Sequence, residues 1–332
     1  MKSSGIGGQA VIEGIMMKNQ DQYAVAVRKP NHEIEIKKET YAGIGSRYKI
    51  CRLPFIRGVF GFVDSLVLGM STLMFSASFF EEEEEEQKPS KIEQKLTDLF
   101  GEKLESMMMT LTVIVSIVLA VGLFMVLPAW LTGLLKPVIP WNFAITVMEC
   151  VLRIAMFVGY VALISKMEDI KRTYMYHGAE HKCINCIEHG LDLTVENVAK
   201  SSREHKRCGT SFLLIVMMIS IVFFLVIHPE GMLMRIVSRI LLLPVIAGVS
   251  YEFLRLAGNS DSRIVNALSK PGLMLQRLTT QEPTEDMIEV AIQAVEAVFD
   301  WRAYERETFG KEFPETEDGR TEATSHANSI VR

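Results

Sequence analysis

Four long apolar runs constrain this chain more than any other feature. Residues 107–127, 141–165, 210–228 and 233–254 each approach the ~20 apolar residues that cover the hydrocarbon core of a bilayer, and in lipid such a run satisfies its backbone by forming a helix. Of the 332 residues, 49% are hydrophobic, which is high for a soluble domain and enough for a membrane bundle with flanking parts. The expected fold is mainly α, a polytopic helical membrane bundle of about four transmembrane helices. A further apolar stretch, 53–80, is also long enough to cross, but it carries Arg57, Asp64 and several Gly and Ser.

Charge sets the expected topology. Four spans place the N-terminus, the 166–209 loop and the C-terminus on one side, and these hold most of the Lys and Arg. The other side holds only 129–140 and 229–232, with Lys136 as its sole base. By the positive-inside rule the basic side is cytoplasmic, which predicts a multi-pass cell (inner) membrane protein with both termini in the cytoplasm and the lipid bilayer as its partner. A full span at 53–80 would export the ten Lys and Arg of residues 2–57, so this segment is read as re-entrant, interfacial or packed against the bundle. Met1–Ala10 is glycine-rich and lacks the basic-then-apolar layout of a signal peptide. Basic residues are spread through loops, which argues against a nucleic-acid surface. Five cysteines, an odd number, suit free thiols in a reducing compartment better than a disulfide framework.

The remaining segments fall in order. Residues 1–52 read as a β-rich N-terminal cap, since Tyr23, Val25 and Val27 alternate, Pro30-Asn31 turns, and Ile34 and Ile36 alternate again as a β-hairpin. Before it, Gly5, Gly7, Gly8 and Gly14 allow close backbone approach or tight turns, which suits either a turn-rich start or a functional loop. Residues 81–106 read as an acidic linker, Glu81 to Glu86, and a short helix at about 91–105. Transmembrane hairpins at 107–165 and 210–254 enclose a cytoplasmic domain at 166–209. Within the first hairpin Glu149 and Arg153 lie four residues apart and can neutralise each other. A C-terminal region, 255–310, is broken by Pro271-Gly272 and carries an amphipathic helix at about 285–300 capped by Thr284, and 311–332 is a polar tail expected to be disordered.

Chemistry concentrates in 166–209. The helix that ends the second span is expected to run on past Ser165, with Met167, Ile170, Tyr174, His177, His181 and Ile184 forming one buried stripe. His177 and His181 then stand one turn apart with Glu180 beside them, in a His-x-x-Glu-His order that inverts the metalloprotease His-Glu-x-x-His signature. In that chemistry two histidines hold a divalent metal, most often zinc, and the glutamate is the general base for metal-activated water. A third protein ligand is needed, and Cys208, His205 and Glu252 are the candidates. The rivals are a closed structural zinc site, because Cys183-x2-Cys186, 18 residues, then His205-x2-Cys208 has zinc-ribbon spacing, and histidines in an ordinary hydrogen-bonded core. Three functions follow: a membrane metal-dependent hydrolase, a non-catalytic scaffold or regulator stapled by metal, and an ion or solute transporter, the last weakened by the few charges inside the spans.

Several separated motifs carry a family resemblance. Gly8-Gln9-Ala10-Val11-Ile12-Glu13-Gly14, Pro54-Phe55-Ile56-Arg57-Gly58, Tyr176-His177-Gly178-Ala179-Glu180-His181-Lys182, Arg207-Cys208-Gly209-Thr210, Ser250-Tyr251-Glu252 and Pro271-Gly272-Leu273 together resemble the YqhQ-like bacterial membrane proteins over about residues 5–300. That resemblance implies a metal-dependent enzyme of unknown reaction. Lys206 departs from the family pattern, which has proline there. The resemblance also adds Glu13 to the candidates, and Cys186 and Glu252 complete the set of possible additional ligands.

Overall fold

The computed structural model describes residues 3–80, 103–227, 229, 231–259 and 262–313. The acidic linker, most of the helix expected at 91–105 and the tail beyond 313 lie outside the described residues. The N-terminal cap is a four-stranded antiparallel meander, β1 (Gly7–Val11), β2 (Gly14–Asn19), β3 (Gln22–Arg28) and β4 (Ile34–Thr40), in spatial order β1-β2-β3-β4. The expected hairpin is β3–β4, with Arg28 opposite Ile34. The glycine-rich start differs from expectation, because it forms a regular hairpin in which Gly8 pairs with Met17 and Val11 with Gly14. Gly8 and Gly14 mark close backbone approach within the sheet: a Cβ at Gly14 would collide with the Ala26 carbonyl.

The helices follow in chain order. After the short α1 (Ile44–Arg47) comes α2 (Ile56–Ala77), then α3 (Lys103–Val121), a π turn (Gly122–Val126), α4 (Leu127–Gly133) and α5 (Asn142–Ile164). The middle of the chain holds α6 (Glu168–Glu188), α7 (Val195–Lys200), α8 (Gly209–Val226) and α9 (Met232–Asn259), and the chain continues through α10 (Arg263–Thr279), α11 (Glu285–Glu296) and α12 (Trp301–Phe309). Among the described residues, five helical segments are long and apolar enough to cross a membrane: Ile56–Ala77, Thr110–Gly133, Asn142–Ile164, Gly209–Val226 and Leu233–Gly258. The protein is thus a mainly helical, multi-pass membrane protein with four or five spans and a small N-terminal sheet.

Two compact units emerge, one of Met1–Phe80, Ala162–Ile215 and Ala247–Arg332, the other of Glu81–Val161 and Val216–Ile246. In the first unit the sheet is apolar on both faces and is covered twice. Val11, Met16, Tyr23, Val25 and Val27 pack with Leu68 and Phe75 of α2. Ile15, Met17, Ala24 and Ala26 pack with Ala179, Cys183, Cys186 and Ile187 of α6 and with Ile288, Ala291 and Val295 of α11. The apolar segment at 53–80 holds one continuous helix of 22 residues, α2. Its C-terminal half holds the sheet, with Gln9 donating to Thr72 Oγ1 (2.9 Å) and Ile12 N–H donating to Ser76 Oγ (3.1 Å).

Two other local expectations are corrected. The helix does not run through Ser165: Met167 is extended (φ −70°, ψ 136°), and α6 restarts with Glu168 and Asp169 in the first turn, where acids suit the helix dipole. Nor does Pro271 break α10, which passes through it. Gly272 there lies against Ser211, and buried Gln276 bonds Ser211 Oγ at 2.7 Å, so tertiary packing outweighs proline's local penalty.

Candidate metal centre

The centre is built on α6, whose ends and crossings are fixed by sequence. Gly190 (φ 69°) ends it in a Schellman arrangement, with Leu191 N–H returning to Cys186 O at 3.1 Å and Gly190 N–H to Ile187 O at 3.0 Å. Thr194 caps α7 by accepting from Asn197 N–H, and Leu193 and Val198 close the staple beneath it. Gly178 is the point at which the segment after α10 crosses α6. Gln281 N–H donates to Tyr174 O (2.9 Å), and a Cβ on Gly178 would overlap the Gln281 carbonyl oxygen. This crossing lays Thr279 O 2.9 Å from His177 Nδ1. On the next turn His181 Nδ1 lies 2.6 Å from Arg203 O.

A carbonyl oxygen only accepts, so each ring keeps a proton on Nδ1 and, in its neutral form, turns a bare Nε2 to the site. That is the usual outer support of a metal-ligating histidine. Among the described residues, ligand atoms of His177, His181 and Cys208 lie within 4.8 Å of one another. Cys208 Sγ is 3.2 Å from His177 Nε2 and takes Thr210 N–H at 3.4 Å. Burial opposes both charges, yet the pair outweighs it: the Cys208 thiolate lifts the His177 imidazole to about 9, and His177 with His181 brings the Cys208 thiol well below its ordinary range. Two imidazole nitrogens and a thiolate form a donor set that fits zinc chemically.

Glu180 adjoins this trio. Its Oε1 accepts Gly8 N–H at 3.1 Å, which β1 can deliver only because Gly8 has no side chain, and its Oε2 lies 3.9 Å from His177 Nε2. The other expected residues are not among these three, although the His205 ring centroid lies 5.6 Å from that of His181. His205 is clamped by Gln276, which accepts its N–H (2.8 Å) and donates to its carbonyl (2.7 Å), and its Nε2 faces Glu188 at 3.8 Å. Cys183 and Cys186 are buried in the apolar core behind the helix, and Cys186 donates its thiol to Leu191 O. Burial pushes both thiols up, Cys186 to about 11. Glu252 pairs with Arg57, and Glu13 takes a two-pronged pair from Arg172 (2.5 and 2.6 Å), tying the β1–β2 turn to α6.

Sequence reasoning did not single out Lys182 and Asn185. Both are buried on α6, and they donate to the carbonyls of Ala199 and Ser201 and of Ser202 and Glu204, respectively. They pin the return segment that carries Arg203 and Cys208 toward the histidines. A polar Lys and Asn at helical spacing beside the histidine stripe was the available signal.

Comparison with known proteins adds a family. A family model described as "Protein of unknown function (DUF1385)" matches residues 53–301. The "Uncharacterized protein YqhQ" of Bacillus subtilis (strain 168) is 33% identical over 291 residues, which covers 87% of this chain and 90% of that protein. No solved structure matches.

Proposed function

The chain belongs to the DUF1385 family of YqhQ-like proteins, and for it we propose a metal-dependent hydrolytic activity at the cytoplasmic face of the cell membrane. One observation carries the reading: His177, His181 and Cys208 present three ligand atoms to one point, with the Glu180 carboxylate beside them. Zinc held there would supply Lewis acidity and make water more acidic at neutral pH. The chain's own part is to exclude bulk water, to hold both imidazoles in the Nδ1–H form through Thr279 and Arg203, and to accept a proton at Glu180 Oε2 while Gly8 N–H fixes the other oxygen. Three protein ligands leave a fourth position for water or substrate, as catalytic zinc sites do. The basic loops on the site's side support a cytoplasmic location with both termini inside.

A second reading, a structural or regulatory metal in a non-catalytic scaffold, is favoured by the same closeness of Glu180, which could serve as a fourth ligand. Cobalt-loaded full-length protein separates the two. In the hydrolytic reading azide perturbs the cobalt spectrum, and Glu180→Gln keeps its metal while hydrolysis of a panel of phosphate and carboxylic esters falls by about 10²–10⁴-fold. A spectrum blind to azide, together with metal loss in Glu180→Gln, contradicts it.

A further inference from the structure

In the second unit Glu149 and Arg153 do not form the closed pair that their spacing predicts. Arg239 of α9 joins them: Glu149 Oε1 accepts from Arg153 (2.7 Å) and Oε2 from Arg239 (2.5 Å). One carboxylate therefore answers two guanidiniums, both set over the ring of Phe224 at 5.0 Å. Arg153 is further served by Phe124 O at 2.9 Å. That carbonyl is available because Pro128, four residues on, has no N–H to donate to it. Arg239 has no such relief. Its side chain is 6% exposed, and its Nη1 is buried with no partner.

A buried guanidinium nitrogen without an acceptor is costly, and native proteins rarely leave one so. Arg239 lines a cavity of about 300 Å³ beside the turns that join α4 to α5 and α8 to α9. Arg235, Lys136, Ser238, Thr146 and Asn142 share the lining, and among the described residues no carboxylate does. Cations within membrane helices are expensive and tend to mark function. The guanidinium fork and the neighbouring hydroxyls suit the oxygens of a phosphate group.

We infer that this cavity binds a phosphate-type oxyanion, with Arg239 Nη1 donating at its buried end and the more exposed Arg235 and Lys136 supplying charge nearer solvent. The oxyanion is either the headgroup of an anionic phospholipid or free phosphate; the recognition chemistry is the same. The inference does not depend on the metal centre, which uses none of these residues.

The test uses full-length protein in nanodiscs. Binding is read by native mass spectrometry with phosphatidylglycerol mixed into phosphatidylcholine, and separately by titration of inorganic phosphate into phosphatidylcholine discs. The wild type should hold phosphatidylglycerol in preference to phosphatidylcholine, or bind phosphate. Arg239→Lys, which keeps a charge for Glu149 but loses the Nη1 donor, should weaken binding by about 10-fold or more, the loss expected for one charged hydrogen bond. The Lys136→Gln, Arg235→Gln double variant leaves the Glu149 cluster intact, should weaken binding as much, and decides the matter if Arg239→Lys does not fold. Displacement of phosphatidylglycerol by excess phosphate supports free phosphate as the ligand, and its retention supports the headgroup. A wild type that binds neither probe, or a folded double variant that binds like wild type, overturns the inference.

Discussion

His177 Nε2 lies 3.2 Å from Cys208 Sγ, in a position where each group alters the protonation of the other. Burial alone would lower the imidazole and raise the thiol. The pair reverses both, holding His177 at about 9 and Cys208 well below the usual thiol range. Without metal the two form an imidazolium–thiolate pair at neutral pH. Zinc uptake at pH 7.5 should therefore release about one proton, from His177 rather than from the thiol. Calorimetry in buffers of different ionisation enthalpy measures this, and Cys208→Ser should abolish the 240 nm thiolate absorbance of the metal-free protein.

Glu188 gives a pH-dependent stability. Burial raises its carboxyl, but His205, the Ser4 N–H and Arg207 more than offset this and hold it at about 2, against an ordinary value of 4.5. A carboxyl depressed by folding stabilises fully above its unfolded value and loses that contribution as pH falls through the folded one. The thermal midpoint of the wild type should drop between pH 4.5 and 2 more steeply than that of Glu188→Gln. At pH 7 that variant, with Arg207 keeping Ser3 but losing its carboxylate partner, should be less stable than the wild type. Parallel profiles would remove Glu188 from the account.

Gly178→Ala tests the crossing that positions His177. The added methyl must displace the Gln281 carbonyl, an overpacking that costs about 1–3 kcal/mol. Because Thr279 lies two residues from the clash, zinc affinity should fall along with the thermal midpoint. Unchanged affinity in a destabilised variant would show that the crossing serves folding alone.

Glu252→Gln should leave metal content at the wild-type level, because Glu252 is engaged by Arg57 and the Phe55 N–H. Metal loss in this variant would restore Glu252 as a ligand.

How much of this was legible in the sequence depends on distance along the chain. Apolar run length shows the spans, and helical spacing puts His177 and His181 on one face. Placing His205 relative to the trio needs Gln276, 71 residues beyond it, whose two bonds fix the His205 backbone, and no local pattern reports that contact. Arg239 meets Glu149 across 90 residues, which no local pattern reports. The glycines of the first strands leave two readings open in the sequence, tight turns or close backbone approach, because a missing side chain serves both, and only the sheet pairing decides for the second at Gly8 and Gly14. Pro271 reads as a break because its local penalty is visible in the sequence, whereas the Ser211–Gln276 contact that offsets it is not.

Metal content of the purified full-length protein, measured by elemental mass spectrometry alongside single variants, tests the central claim most directly. The account predicts about one zinc per wild-type chain, its loss in His177→Ala, His181→Ala and Cys208→Ser, and its retention in His205→Ala, Cys183→Ser and Cys186→Ser. Zinc that survives Cys208→Ser but disappears from the Cys183 and Cys186 variants would contradict it.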